Sequence, residues 1–508
     1  MKYINYKIAT AKDGNPTLIA EIQGRDVPLH SRVNPLKEGD TPSFFPDPDK
    51  YDLLILLGCG LGYYYTCLKD YYGKYKGVVI IDFFKNIEAE IIKNPITSFL
   101  ADAENVSFFS GNDIEDLGGK LSGLIDFQKI RGIQVIEHPQ SMRLFPDFYG
   151  GVRSVIKKII DKKAADRATI NAFGNLFLRN ALHNLDNFRH CCPVSFLSGK
   201  FSGRKAVIVS SAPSIEDSIE NLKRHEHSLY IIAVDSALPV LSSYGIDPDF
   251  VISIDPQPRI REHFLGHEPG RQIHIFSIVS PPELVYRYKG FLSGNSHPVS
   301  QIINGLYPQW NSSIDSGTGS VAGDAFNFAV LAGFECIAMT GFDFSFPGNL
   351  IYARETAYQK RYSLYFSSRF KTAETFNAGY IFRSSGSLVV EGRYTRRSFT
   401  GYRDSLDELI RESNNGKVFM INKRGLLLKN ADYTDFNTFM KIPVSVNDQK
   451  AEYLQGVKSI NNSFLYDIEK IKNTLLDCKI FPEIIKESFG ADWPEKNMKI
   501  KSVIQKIT

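Results

Sequence analysis

Cysteine is scarce and unpatterned in this chain. Cys59, Cys67, Cys191, Cys192, Cys336 and Cys478 are the only six in 508 residues, with neither metal-ligand spacing nor the density of a disulfide scaffold. A cystine-stapled secreted module is therefore excluded, and three of the six lie in apolar runs that suit buried thiols in a reducing compartment. No apolar stretch approaches the length of a membrane span. The opening residues, MKYINYKIATAKDG, lack the apolar segment of a secretory leader. Neither sign of charge prevails: 60 Lys and Arg against 56 Asp and Glu give a formal net charge of +4. Nothing in that balance drives the whole chain toward nucleic acid or an anionic membrane. Repeats and low-complexity tracts are also missing. The expectation is a folded cytoplasmic protein of two to four domains.

What is present is a series of short apolar runs ending in glycine, serine or aspartate. Leu53 to Leu57 reads as a buried strand, followed by Gly58-Cys59-Gly60-Leu61-Gly62 and a Tyr-rich helix. A second strand, Gly77 to Ile81, delivers Asp82. Strand, glycine turn, helix, strand and acid make the nucleotide-binding form of a βαβ unit, with the acid placed for a ribose hydroxyl. The spacing also suits S-adenosylmethionine, and a glycine turn that binds nothing has the same sequence. Further strands at 106–109 and 132–136 extend a Rossmann-like, methyltransferase-like domain over residues 1–145. Val152, Val155, Ile156, Ile159 and Ile160 then repeat at helical spacing, and a second helix is expected over 170–188, so residues 146–195 read as a helical spacer.

A second α/β domain is expected over 196–432. Ala206 to Val209 is a buried strand with the exit turn Ser210-Ser211-Ala212-Pro213, and Ser214 with Asp217 has the form of a capping box. Later strands deliver Asp235 and Asp255. Residues 315–352 are the most informative stretch. Ser316-Gly317-Thr318-Gly319-Ser320 opens a helix whose Val321, Ala325, Phe328, Ala329 and Ala332 share one face; Gly333 closes it, and a strand leads to Gly341-Phe342-Asp343-Phe344. A helix start next to glycines presents unpaired N–H groups to an anion. In a parallel sheet, all these polar residues fall on one rim, where α/β proteins hold ligands. Residues 379–402 are basic and read either as a lid or acceptor surface or as a solvated insertion. Residues 433–508 read as a helical C-terminal domain.

These segments resemble the motility accessory factor (Maf) family of flagellin glycosyltransferases. The likeness is carried by VIVSSAPSIEDSIENL, IDPDFVISIDP, DSGTGSVAGDAFNFAVLAGFECIAMTGFDF and HPQSMRLFPDFYGGV, and spans about residues 50 to 430. The family's central domain is similar to sialyltransferases that use CMP-sialic acid. The resemblance implies donor-nucleotide contacts at Ser210, Ser211, Ser214, Asp235, Asp255, Gly317, Thr318, Gly319 and Ser320. It implies catalytic roles for Asp343 of the GFDF motif and for Tyr352, where a tyrosine assists the departing phosphate. The implied reaction is an inverting transfer of a nonulosonic acid from its CMP ester to Ser or Thr of flagellin, with no cofactor or metal required.

Two departures stand out. The family has glycines in its first loop where this chain has Ser210 and Ala212, and the sialyltransferase histidine has no counterpart near Phe399 to Asp404. His263, His274 and His297 are present, but their positions in sequence leave the base unassigned. The same domain family includes 6-hydroxymethylpterin diphosphokinase-like proteins, for which Asp235 and Asp255 would bind Mg²⁺ with ATP. A catalytically silent flagellin-binding protein is a third reading and a methyltransferase using Gly58 to Gly62 a fourth.

Overall fold

The computed structural model describes residues 5–40, 42–101, 105–125, 130–295, 300, 304, 313–413, 415, 417–446 and 450–458; His297, Cys478 and most of the expected C-terminal domain lie outside them. The chain divides into two compact units that part between Ala172 and Phe173. Each is built on a parallel sheet of near-continuous apolar strands, because helices must cover both faces of such a sheet.

In the first unit, β1 (Tyr6–Thr10), β2 (Pro16–Ile22) and β3 (Arg25–Pro28) form an antiparallel sheet. They precede β4 (Leu53–Leu57), β5 (Gly77–Asp82), β6 (Val106–Ser110) and β7 (Ile133–Glu137), which pair in parallel in the order β6-β5-β4-β7. This is the expected Rossmann-like arrangement, with every residue of β4 buried.

The glycine turn after β4 is closed. Asp82 is 1% exposed, and its Oδ2 accepts the N–H groups of Cys59 and Gly60 at 2.6 and 2.9 Å, so the acid binds the turn itself and is not free for a ribose. A Cβ at Gly60 would collide with His30 Nε2 and Leu29 Cδ2, one at Gly58 with Ser141, and one at Gly62 with Leu100. Side chains fill the space that a nucleotide or S-adenosylmethionine would need, so neither ligand fits there. The expected Tyr-rich α-helix is instead the 3₁₀ turn Tyr63–Leu68.

His30, Glu38 and His138 bring one ligand atom each within 4.8 Å of one another. Their donors do not suit a metal. His30 Nε2 accepts Leu61 N–H at 2.8 Å, so the ring proton is on Nδ1, facing Glu38 Oε2 at 2.7 Å. Metal at Nδ1 would force a proton onto Nε2, donor against donor. His30 and Glu38 form a hydrogen-bonded strut beneath the glycine turn, and His138, 3.9 Å from Glu38, is held by Ser141 at 2.7 Å instead.

The stretch expected as two helices is one 42-residue helix, Pro146–Asn187. Its beginning (Val152, Ile156) joins the first unit's core, and its end (Leu178, Ala181, Leu182, Leu185) joins the second's.

The second unit carries β8 (Cys192–Pro193), β9 (Lys205–Val209), β10 (Tyr230–Val234), β11 (Phe250–Ser253), β12 (Ile273–Ser277), β13 (Phe291–Ser293), β14 (Cys336–Thr340), β19 (Val418–Met420) and β20 (Asp432–Tyr433) in one wholly parallel nine-stranded sheet. Its order is β20-β19-β14-β9-β10-β11-β12-β13-β8. The chain winds outward from β9 to β13, then returns to lay β14 on the other side of β9, which makes that seam the switch point of the sheet. Between β14 and β19 lies an insertion with two small hairpins, β15 (Ser367–Ser368) with β16 (Lys371–Thr372) and β17 (Ser387–Val390) with β18 (Arg393–Arg396). Ser214 does not cap a helix as expected. Pro213–Ser218 is a 3₁₀ turn without a side-chain cap, and the following helix, Ile219–His225, starts after Ser218.

The described residues beyond 433 pack on this unit's core through Phe436, Phe439 and Val457. Two buried lysines fasten them. Lys205 Nζ donates to the carbonyls of Phe439, Met440 and Ile442 at 3.2, 3.0 and 2.7 Å, closing the helix Phe436–Lys441. Lys450 pairs with Asp249 at 2.7 Å, both over 90% buried.

Two expectations follow. Lys450→Met leaves Asp249 charged and unpaired in the interior, and should destabilise the second unit by about 3–5 kcal/mol in denaturant unfolding; a loss within ~0.5 kcal/mol would mean that the pair is not a fastening. Gly60→Ala should cost about 1–3 kcal/mol through overpacking, since its φ of +52° adds strain to the collision; a fully stable variant would show the turn to be open.

Candidate functional site

The rim of interest is the carboxyl edge of the nine-stranded sheet, and its geometry follows from three packing decisions. The helix Val321–Ala332 crosses back over β9, β10 and β11. Its end, Gly333, closes in the left-handed conformation at φ +87° and abuts Gly199 and Ser202, which precede β9. The helix start must therefore lie at the opposite, carboxyl edge. Polar residues at the tail of the long helix hold the loops beneath. Asn180 Nδ2 donates to the carbonyls of Pro256 and Val279 at 3.0 and 2.9 Å, and Asn184 Nδ2 to those of Ile278 and Ser280 at 2.7 and 2.8 Å. Their spacing of four places both amides on one helical face, a signal that was present in the sequence but lost among solvated residues.

At the switch point the two loops grip each other. Asp343 is 1% exposed, and its Oδ2 accepts Ser214 N–H at 2.9 Å; Ser214 itself is fully enclosed. A side chain on Gly341 would strike the Ser210 carbonyl, and Ser210 N–H donates to Thr340 O at 2.9 Å. Burial pushes the Asp343 carboxyl up, against the lowering effect of Ser214. Asp343 and Ser214 thus act as a clasp between the loops after β9 and β14, and neither presents its side chain to a ligand.

The open part of the rim lies over β9, β10 and β11. Asp235 accepts Ser236 N–H at 2.7 Å and Ser253 Oγ–H at 2.9 Å, while Ser236 Oγ donates to Ser211 Oγ at 2.9 Å. Ser211 is also fixed from above, its carbonyl accepting Ala353 N–H at 3.0 Å. Asp255, partly buried, accepts Gln257 N–H at 2.8 Å. Burial pushes both carboxyls up to about 6, and the charge of Asp235 contributes to the rise at Asp255.

The serine-glycine turn is held from behind, leaving its front exposed. Asp324 Oδ1 accepts Ser316 N–H at 2.6 Å, Ser316 and Thr318 share a hydroxyl contact at 2.7 Å, and Ser320 Oγ caps Gly323 N–H at 3.3 Å. Burial raises the Asp324 carboxyl to about 7. Gly317 and Gly319 have positive φ, and a Cβ on Gly317 would meet nothing within 4 Å. On Gly319 it would lie 3.5 Å from Tyr402 Cε1, so that ring borders the turn.

Aromatic side chains from the insertion complete the site. Tyr352 stacks on Tyr358 with ring centroids 4.7 Å apart, and Tyr358 meets the His263 ring edge-on at 4.9 Å. Burial drives the Tyr352 phenol well above its ordinary range and the Tyr358 phenol to about 12. The charges of Asp235 and Asp255 add to the rise at Tyr358, and that of Asp255 to the rise at Tyr402. His263 is buried with Nδ1 unpartnered, and burial lowers it to about 4 despite the pull of Glu262 and Asp255. Tyr358 and Tyr402 had no motif to mark them. His263 was one of three histidines without a place. The basic stretch is partly structural: Arg396 lies 4.0 Å over the Tyr380 ring, and Arg403 pairs with Asp404 and Glu391.

Of the residues singled out in sequence, Ser211, Asp235, Asp255, Tyr352 and the 316–320 turn border this one rim, and Ser214 and Asp343 form the clasp beside it. Among the described residues no helix is long and apolar enough to cross a membrane.

Comparison with known proteins agrees with this architecture. The family model for 6-hydroxymethylpterin diphosphokinase MptE-like proteins matches residues 179–349. An uncharacterized protein of Treponema pallidum (strain Nichols) is 41% identical over 85 residues, a match that spans 17% of this chain and 40% of that one. The structure of the MAf glycosyltransferase from Magnetospirillum magneticum AMB-1 superposes with a TM-score of 0.59 at 14% identity, over 96% of this chain and 78% of that one. The resemblance read from the motifs thus extends to the fold of nearly the whole chain, which is the fold of a Maf glycosyltransferase.

Proposed function

We propose that the protein is a glycosyltransferase that moves a nonulosonic acid, of pseudaminic or legionaminic type, from its CMP ester to Ser or Thr hydroxyls of flagellin, and so serves flagellar assembly and motility. The observation that carries this reading is the meeting of an exposed glycine turn at a helix start, two carboxyls raised to about 6 and three tyrosines on one rim. The donor phosphate lies at the 316–320 turn, where the first N–H groups of the helix face it. Tyr352 and Tyr402 donate to it as negative charge builds during departure of CMP. Burial raises the pKa of both phenols and keeps them protonated throughout the physiological range. As the bond from the sugar's anomeric carbon to the phosphate oxygen breaks, the acceptor hydroxyl adds to the opposite face and passes its proton to Asp255. Asp235, held by Ser253 and Ser236, hydrogen-bonds the nucleoside. No cofactor enters this scheme.

The MptE-like match favours one alternative, an ATP-dependent diphosphokinase in which Asp235 and Asp255 hold Mg²⁺. Calorimetric titration with CMP, ATP–Mg²⁺ and S-adenosylmethionine separates the readings. CMP should bind, about tenfold or more weakly after Ser320→Trp or Asp235→Ala. Tight ATP–Mg²⁺ binding without a response to CMP would overturn the transferase reading, and flagellin binding without CMP release would point to a silent adaptor.

The pH dependence has a definite sign. A base must be ionised to act, and Asp255 is pushed up to about 6. Transfer should therefore fall as pH drops through about 6, and Asp255→Asn should remove that limb while lowering kcat by about 10²–10⁴. An unchanged profile in the variant would assign the base elsewhere.

A further inference from the structure

At the opposite edge of the nine-stranded sheet lies a cavity of about 440 Å³, where β8, β12 and β13 begin. It is independent of the carboxyl rim, since it is built from the amino ends of the strands. Its mouth carries Arg189, His190, Lys289 and Lys458, all exposed, and its floor carries His274 and Tyr288, both buried. Among the described residues no acidic side chain lines it. Glu268, next in sequence to the lining residue Pro269, pairs with Arg287, and Asp247 is held by Gln272 and Arg271. Lys458 Nζ reaches only a carbonyl, that of Gly270, at 2.5 Å.

The floor histidine is the second, independent observation. His274 is 4% exposed, and neither ring nitrogen has a hydrogen-bond partner. A neutral imidazole always has one donor and one acceptor, and leaving both unmatched in the interior is unfavourable. The ring is positioned by packing, 4.2 Å from Tyr288 and stacked at 5.9 Å on Phe276. Lys458 lies close enough to add to the depression of its acidity constant, which burial chiefly causes. A cavity of this size falls within the range of small-molecule sites. Positive charge gathered at its mouth, over an aromatic floor with an unmatched imidazole, is suited to a molecule with an anionic head and a flat organic body.

We propose that this cavity is a second binding site, for a small phosphorylated organic molecule. Its phosphate is held by Arg189, Lys289 and Lys458, and its organic part lies on Tyr288 and hydrogen-bonds to His274. The site is separate from donor binding and stands whether or not the transferase reading does.

The test uses the full chain, with AMP and inorganic phosphate as probes and the His274 ring resonance, assigned by its loss in His274→Gln, as the readout. AMP should shift that resonance saturably and bind at least about tenfold more tightly than inorganic phosphate. Arg189→Glu and Lys289→Glu, both at exposed positions, should each weaken AMP by about tenfold without changing the unfolding temperature. Asp255→Ala should leave it unchanged. No shift at about 10 mM AMP, equal affinity for inorganic phosphate, or binding that survives both charge reversals would overturn the proposal.

Discussion

A sheet whose nine strands all run the same way has to be covered on both faces, and that single constraint governs where this protein can do chemistry. β9, β10, β12 and β14 are buried along their whole length, and the polar residues they carry, Lys205, His274, Ser277 and Thr340 among them, lie at or next to a strand end. Polar residues are displaced to the strand ends, and because the strands are parallel those ends collect on two edges. The carboxyl edge gathers Ser211, Asp235, Ser253 and Asp255 beside a helix start. The amino edge gathers lysines and arginine around His274. The switch of direction at β9 and β14 opens a seam, and the contact of Asp343 with Ser214 N–H holds it shut at 2.9 Å. Without that clasp the loops beside the rim would be free to spread.

Electrostatics then constrain how a nucleotide can sit on the rim. Burial, with the charge of Asp235 adding to it at Asp255, raises both carboxyls, yet at pH 7 both are mostly ionised, being pushed up only to about 6. A phosphate placed over them would be repelled. The glycine turn is the complementary place, because its backbone donors carry no proton to lose and Gly317 leaves the approach open. Hydroxyls of a sugar, by contrast, suit the carboxylates. The rim therefore has a polarity of its own, with backbone donors suited to an anion at 316–320 and carboxylates suited to hydroxyl donors at the aspartates.

The two glycine turns show what a sequence can and cannot carry. The positions of the strands along the chain, the helix ending at Gly333 and the gathering of Asp235, Asp255 and the 316–320 turn were all legible, because each depends on local periodicity or on the geometry of parallel strands. Gly58 to Gly62 had as good a pattern as Gly317 to Gly319. What separates them is the approach of distant residues: His30, Leu29, Leu100 and Ser141 occupy the first turn, whereas only Tyr402 comes near the second. No local signal announces such contacts. The same reason hid Tyr358, Tyr402 and His263, which reach the rim from the insertion and from the turn after β11. It also hid the union of two expected helices into one, since the polar middle of Pro146–Asn187 breaks the apolar pattern without breaking the hydrogen-bonded ladder.

The missing histidine is best understood through the protonation states that burial imposes here. His263 is held near 4 and stays neutral at pH 7, while the phenols of Tyr352, Tyr358 and Tyr402 are all raised and stay protonated. These four neutral groups are therefore fixed in one state, while Asp235, Asp255 and, behind the glycine turn, Asp324 titrate near physiological pH. A buried imidazole at 4 is a poor proton acceptor compared with a carboxylate at 6, because the stronger base gains more from the transfer. As the base proposed above, Asp255 is thus the stronger proton acceptor of the two. It does add a negative charge to the site, which would favour a positively charged transition state at the sugar and disfavour a second anionic group beside it. The tyrosines remain to oppose that charge on the phosphate side, so donors and acceptor are separated across the reacting carbon by the direction in which the strands run.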